Sequence, residues 1–226
     1  MKLLQNKENC LIIALLLLLI FSCESTLVDE FSVFEEATLM GMVYNSRSSP
    51  CVGAALRVDD EKGVYTSDIN GRFVIPKLKR GRHLIHISND GHEPEVVTLN
   101  FSDRRQILYI RLTSNESLLD WAEEALDELR WEEAEDFIMR SLAVEPEGTR
   151  AITLLGALYY RTEEFEDSLK QWQLLIEKGH RSPYLYLLIA NTYEYGLESP
   201  EEARPWLERY LENHEAPEVR ARLPVE

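Results

Sequence analysis

Three patterns of hydrophobic and polar positions follow one another along the chain. Residues 11–21 form an unbroken apolar run. After an acidic, aperiodic stretch at 24–36, short apolar-rich segments recur with turn residues between them, which predicts β-structure. Alternation is plain in Leu84-Ile85-His86-Ile87 and in Ile107-Leu108-Tyr109-Ile110-Arg111-Leu112. Seven strands are expected near 38–44, 55–59, 63–66, 72–75, 83–88, 95–100 and 106–112, enough for a two-sheet sandwich over 37–113. Asp68-Ile69-Asn70-Gly71 predicts a tight turn in which Asn70 or Gly71 takes the positive φ.

At about residue 114 the period changes from two to near 3.6. Leu118, Ala122, Ala125, Leu126 and Leu129 share one helix face; Ala134, Phe137, Ile138, Ser141 and Leu142 share a second. A similar pair follows, with Ile152, Leu155, Gly156 and Tyr159 on one helix and Phe165, Ser168, Leu169, Trp172, Leu175 and Ile176 on the next. Ser182-Pro183 opens a third pair, with Ser as N-cap and Pro at the first helical position. Its second helix opens at Ser199-Pro200-Glu201-Glu202, which reads as a capping box. Pro205 predicts a kink in that helix, and 218–223 a short closing helix.

Self-comparison of this half gives a period of 34 residues, aligning Trp131 with Phe165, Ala134 with Ser168 and Leu142 with Ile176. The period, the element Leu155-Gly156-Ala157-Leu158-Tyr159 and the small residues Ala122, Ala134, Gly156, Ser168, Ala190 and Ala203 resemble the tetratricopeptide repeat (TPR). Repeats are placed at about 115–148, 149–182 and 183–216, the third with one extra residue in its turn. The β segment is similar to the carboxypeptidase regulatory-like, or transthyretin-like, domain. The likeness rests on Gly41-Met42-Val43, on the stretch from Pro50 to Leu56, on Thr66-Ser67-Asp68-Ile69-Asn70-Gly71-Arg72-Phe73 and on Gly81 and Gly91. Ser67 is one residue more than that pattern has, and His92 stands where it has Tyr. The expected fold class is therefore multi-domain β + α: a seven-stranded transthyretin-like β-sandwich, then an all-α TPR array over 114–226. The first resemblance implies a folding or interaction module without catalytic residues, and the second a protein-binding groove.

The apolar run is too short to span a bilayer, which takes about 20 residues. Behind Lys2 and Lys7 it reads as the h-region of a signal peptide over 1–22. Ile20-Phe21-Ser22-Cys23 resembles a bacterial lipobox, with Phe21 departing from the small residue usual there. The resemblance implies cleavage before Cys23, acylation of that residue and a lipid-anchored protein of the cell envelope, facing the periplasm. Two or three acyl chains hold a protein firmly, at ~0.8 kcal/mol per buried CH₂. Residues 23–36 then make an acidic tether. With Cys10 removed and Cys23 acylated, Cys51 remains alone and reads as a buried structural thiol.

Charge narrows the function. The chain carries 40 Asp+Glu against 24 Lys+Arg, a net −16, which argues against nucleic-acid binding. Residues 114–226 hold 26 of those acids against 11 bases. No nucleophile elbow, P-loop, zinc pair or GxGxxG occurs. His83 and His86 are three apart on a strand and point to opposite faces, so they share no metal. Asp68 and Asn70 read as turn residues. No enzyme, metal or cofactor is expected. The leading reading is a non-enzymatic envelope scaffold that binds a protein or peptide; the alternative is an accessory ligand-binding subunit of an envelope transport or polysaccharide system.

The TPR resemblance places groove positions on the first helix of each repeat. They fall on Glu116, Leu119, Glu123, Leu126 and Asp127; Arg150, Thr153, Ala157, Tyr160 and Arg161; Tyr184, Leu187, Asn191, Glu194 and Tyr195. Tyr160, Arg161, Tyr184, Asn191 and Tyr195 are the partner-binding candidates, because Tyr and Arg are frequent anchors. A clamp for acidic chaperone tails wants Lys, Asn and Arg at these places, and only Asn191 is present.

Overall fold

The computed structural model of the chain describes residues 34–212 and 214–223; Cys23 and the expected signal and tether up to residue 33 lie outside the described residues. Seven strands come first: β1 (Glu36–Asn45), β2 (Ala55–Val58), β3 (Tyr65–Thr66), β4 (Arg72–Lys79), β5 (Gly81–Ser88), β6 (Glu95–Phe101) and β7 (Ile107–Leu112). They form a three-stranded sheet in the order β4-β1-β7 and a four-stranded sheet in the order β3-β2-β5-β6. β1 is the centre of the smaller sheet, antiparallel to β4 and parallel to β7. The parallel pairing was not legible in the sequence, because the two strands lie at opposite ends of the β segment.

Period two sends alternate residues into one shared core. The smaller sheet contributes Leu39, Val43, Phe73, Ile75, Ile110 and Leu112, and the larger Leu56, Val58, Ile85, Ile87, Leu99 and Phe101. Cys51, 2 % exposed, joins them, and burial pushes its thiol pKa up. Gly41 sits where a Cβ would lie 2.3 Å from both the Leu108 carbonyl and the Phe73 ring, so only glycine fits. Gly71 closes the expected turn at φ +75°, and the Asp68 carboxylate accepts from the Asn70 and Arg72 amides at 2.8 Å.

β4 runs farther than the pattern predicted. Its alternation breaks at Pro76-Lys77, where Leu39 faces Ile75 but Ala37 faces Leu78: one extra residue on β4 makes a bulge, with Lys77 at φ 55°. The bulge returns Leu78 to the core. Pro76 is tolerated because β4 is an edge strand.

The helices are α1 (Asn115–Asp127), α2 (Trp131–Val144), α3 (Thr149–Arg161), α4 (Phe165–Glu177), α5 (Pro183–Asn191), α6 (Pro200–Leu211) and α7 (Pro217–Arg220). α1, α3 and α5 start 34 residues apart, as do α2 and α4; α6 starts 35 after α4. The extra residue is taken up in a π-helical turn, Thr192–Gly196, that prolongs α5. Gly156 lets α3 lie on α4: a Cβ there would come within 2.2 Å of the Trp172 Nε1, which donates to the Thr153 carbonyl at 3.1 Å.

Two expected caps are not made. Neither the Ser182 nor the Ser199 side chain accepts a bond from its helix; the Ser199 hydroxyl instead donates to the Leu197 carbonyl. Pro at the first helical position is present in both cases. α6 continues through Pro205 to Leu211. The cap that does form is Ser114, whose hydroxyl accepts from the Ser117 amide at 3.2 Å. No helix among the described residues is long and apolar enough to cross a membrane.

The two parts meet through polar contacts. Glu93 N–H donates to the Thr113 carbonyl at 2.9 Å and Asn115 N–H to the Gly91 carbonyl at 2.8 Å. Arg140 on α2 grips the Glu93 carboxylate with two bonds of 2.9 and 2.7 Å. The hydroxyls of Ser46 and Ser117 lie 2.6 Å apart. Each hydrophobic cluster stays wholly on one side of this junction.

Candidate functional site

The first helices of the three pairs, α1, α3 and α5, with the π-helical turn that prolongs α5, carry the positions at which a groove was expected. Sequence pattern alone does not say which of those side chains are already occupied. Most are. Leu119 and Leu126 are buried. Ala157 and Leu187 pack against hydrophobic clusters.

Tyr160 is half-buried rather than exposed. Its ring meets Phe165 edge-on with centroids 5.6 Å apart, lies 6.3 Å from Trp172, and packs on the second helical core.

Polar positions on this face are tied into bridges between neighbouring elements. Arg150 of α3 reaches Asp120 and Glu123 of α1 at 3.0 and 2.8 Å. Arg47, in the loop after β1, pairs with Glu116 at 2.9 Å and with Asp120. Asp120 is thus held between two guanidinium groups; partial burial opposes its charge, but the bonds from Arg150 and Arg47 outweigh this and lower its pKa. Arg161 donates to the Leu126 carbonyl at 2.7 Å and lies 3.6 Å from Asp127, so it serves as a clasp between α3 and α1. These bridges were missed because the partners sit from 27 to 73 residues apart in sequence.

The third pair differs. Tyr184, at the start of α5, is 63 % exposed, and Tyr195, in the π-helical turn, is 59 % exposed. They are eleven positions apart, seven of the steps within α5 and the rest in the π-helical turn. Between them Arg222, just past α7, donates to Asn191 Oδ1 at 2.8 Å and to Glu194 Oε2 at 2.5 and 2.9 Å. Its guanidinium also lies 5.2 Å from the Tyr195 ring centroid. Asn191 is therefore engaged by the chain's own arginine. A cleft of about 800 Å³ opens beside this cluster, lined in part by Glu194, Leu207, Arg222 and Leu223.

No family model matches the sequence, and no curated protein does. Among solved structures, MamA is similar to the chain at 21 % identity with a TM-score of 0.41, over 44 % of this chain and 54 % of that one. A mutant type II cohesin–X–dockerin complex from Acetivibrio cellulolyticus matches at 13 % identity and TM-score 0.32, over 35 % of this chain and 58 % of its own. The first TPR domain of human RPAP3 matches at 19 % identity and TM-score 0.42, over 48 % of this chain and 88 % of that domain. The chain thus spans little more than half the length of the first two.

Proposed function

We propose that the chain is a non-enzymatic scaffold that holds a protein or peptide partner on the first-helix face of a TPR-like array. Cys23 carries the lipid that fixes it in a bacterial cell envelope, and the transthyretin-like β part acts as spacer. The observation that supports partner binding is the exposure of Tyr184 and Tyr195 on a face whose other expected groove positions are mostly buried or bridged. Exposed tyrosine offers a large contact area at low entropic cost and is enriched among binding anchors.

Crosslinking in the native envelope, comparing wild type with the Tyr184→Ala/Tyr195→Ala variant, tests this reading. Each ring is expected to contribute about 1–2 kcal/mol to capture, while the melting temperature stays near wild type because neither ring is buried. Unchanged capture by the folded double variant would overturn it. The anchor is tested separately: Cys23→Ala is expected to abolish lipid labelling and leave an uncleaved precursor. A mature chain that still begins at residue 23 and still fractionates with membranes would reject the lipid at that position.

A further inference from the structure

The two sheets show unlike faces to the outside. On the larger sheet the outward positions are largely polar, with Arg57, His86, Thr98 and Asn100 exposed around Leu84 and Val96. Such a face is what a solvated sheet presents. The smaller sheet does the reverse. Strand register sets Met40 beside Val74 on one flank and Ile107 on the other, and Met42 beside Tyr109. Met40, Val74, Ile107 and Tyr109 are 54, 53, 51 and 63 % exposed. Adjacent strands lie ~4.8 Å apart, so these side chains form one continuous apolar patch.

The charges around the patch have one dominant sign. Arg72 lies across from Met42, and Arg111 stands at the end of β7 over the Tyr44 ring at 5.4 Å. Among the described strand residues of this face the one carboxylate, Glu36, sits at the far corner of β1 opposite Lys79. Residues 36–112 carry 11 Lys+Arg against 9 Asp+Glu, with four further carboxylates in 24–35, whereas 114–226 carry 11 against 26. At an anionic surface this asymmetry turns the β part toward the charge and the helices away.

We propose that the outward face of the smaller sheet lies on a lipid bilayer containing anionic lipid. Met40, Val74, Ile107 and Tyr109 enter the interface, while Arg72 and Arg111 meet lipid phosphates. Apolar side chains with a tyrosine and flanking arginines are the composition that binds there. A second copy of the chain would set one cationic face against another. With the proposed lipid at Cys23, the eleven steps from there to Phe34, at most about 40 Å when extended, would hold β1 within that distance of the bilayer. The inference goes beyond the proposed anchor, since docking sets which way the repeat face points rather than whether the chain is held.

Brominated-lipid quenching of an introduced tryptophan reads the contact directly. The full-length chain is reconstituted in phosphatidylethanolamine–phosphatidylglycerol vesicles with bromine on the upper acyl chain. Tyr109→Trp or Ile107→Trp is compared with Val96→Trp on the opposite sheet, after subtracting the four native tryptophans, which all lie in helices. Quenching at 109 and 107 is expected to exceed that at 96 about twofold or more, and to fall toward it in the Arg72→Glu/Arg111→Glu background. Equal quenching at the three positions, or a chain that fails to float with the vesicles, overturns the docking. So does concentration-dependent dimerisation lost on Ile107→Arg, which would make a second copy the occupant. Mass spectrometry of residue 23 reads the anchor independently, so failure of one reading is distinguishable from failure of the other.

Discussion

The β part draws its buried residues from both sheets into one cluster, whereas the helical part divides its own among three clusters strung along the pairs. The difference teaches where damage travels. A defect in a single shared core is felt by every strand; in a stacked array each pair answers mainly to its neighbours. The same contrast holds for surfaces: the β part leaves an apolar sheet face bare, and the array leaves two tyrosines at its far end.

Overpacking each part at its glycine contact has the largest expected effect. Gly41→Leu is expected to cost about 3 kcal/mol or more and to abolish the β-type circular dichroism while tryptophan emission, which arises only in the helices, stays native. Gly156→Leu should cost a similar amount, driving Trp172 from its pocket and red-shifting that emission while the strands persist. Loss of both signals in either variant would show one cooperative unit. Separate expression of 37–113 and 114–226 asks the same question without mutation, and two folded fragments are the expected result.

Ser168 sharpens the picture within the array. Its hydroxyl is buried without a hydrogen-bond partner among the described residues, in the slot that Ala134 and Ala203 fill in the other pairs. Ser168→Ala is therefore expected to stabilise by about 1 kcal/mol, visible as a higher melting temperature; a lower one would mean that the hydroxyl is satisfied.

A smaller effect is expected at the junction. The Arg140–Glu93 pair is two-pronged but its side chains are 38 and 24 % exposed, so Glu93→Ala should cost only about 0.5–1 kcal/mol after solvent screening. That cost should shrink further in high salt, and a loss of several kcal/mol would make the polar junction a principal support of both parts.

The least effect comes from His83. Both ring nitrogens face acceptors, Asp59 Oδ2 and the Lys79 carbonyl, each at 2.8 Å, which only the protonated ring satisfies by donating twice. Burial opposes that charge, but the bonds to Asp59 and Lys79 outweigh it and raise the pKa above the ordinary 6.5. A raised pKa stabilises the fold fully below 6.5, and the gain is lost as pH climbs through the folded value. His83→Gln should flatten that loss in the β part and leave the helical melting profile unchanged at every pH.

Every strand and every helix of the two patterned halves was legible in residue spacing, because periods of two and 3.6 are imposed by which faces must be buried. The bulge at Pro76-Lys77 was not: a break in alternation looks the same whether a strand ends or inserts a residue, and only the partner β1 shows that pairing resumes. At the candidate positions the spacing did not show exposure: Tyr184 and Tyr195 stand exposed, whereas the Tyr160 ring lies beside Trp172.

By itself the sequence determined the order of elements, the 34-residue spacing of the helix pairs and the glycines at Gly41, Gly71 and Gly156, since these follow from local conformation and the burial of periodic faces. Tertiary structure alone decided the parallel pairing of β1 with β7 and the bridges from Arg47 and Arg150 to Asp120. It also decided the capture of Glu194 by Arg222, and that Met40, Val74 and Ile107 form one surface. Each joins residues about 30 or more apart in sequence. Such contacts leave no periodic trace in the chain, because their partners are chosen by how finished elements pack and not by the elements' own spacing.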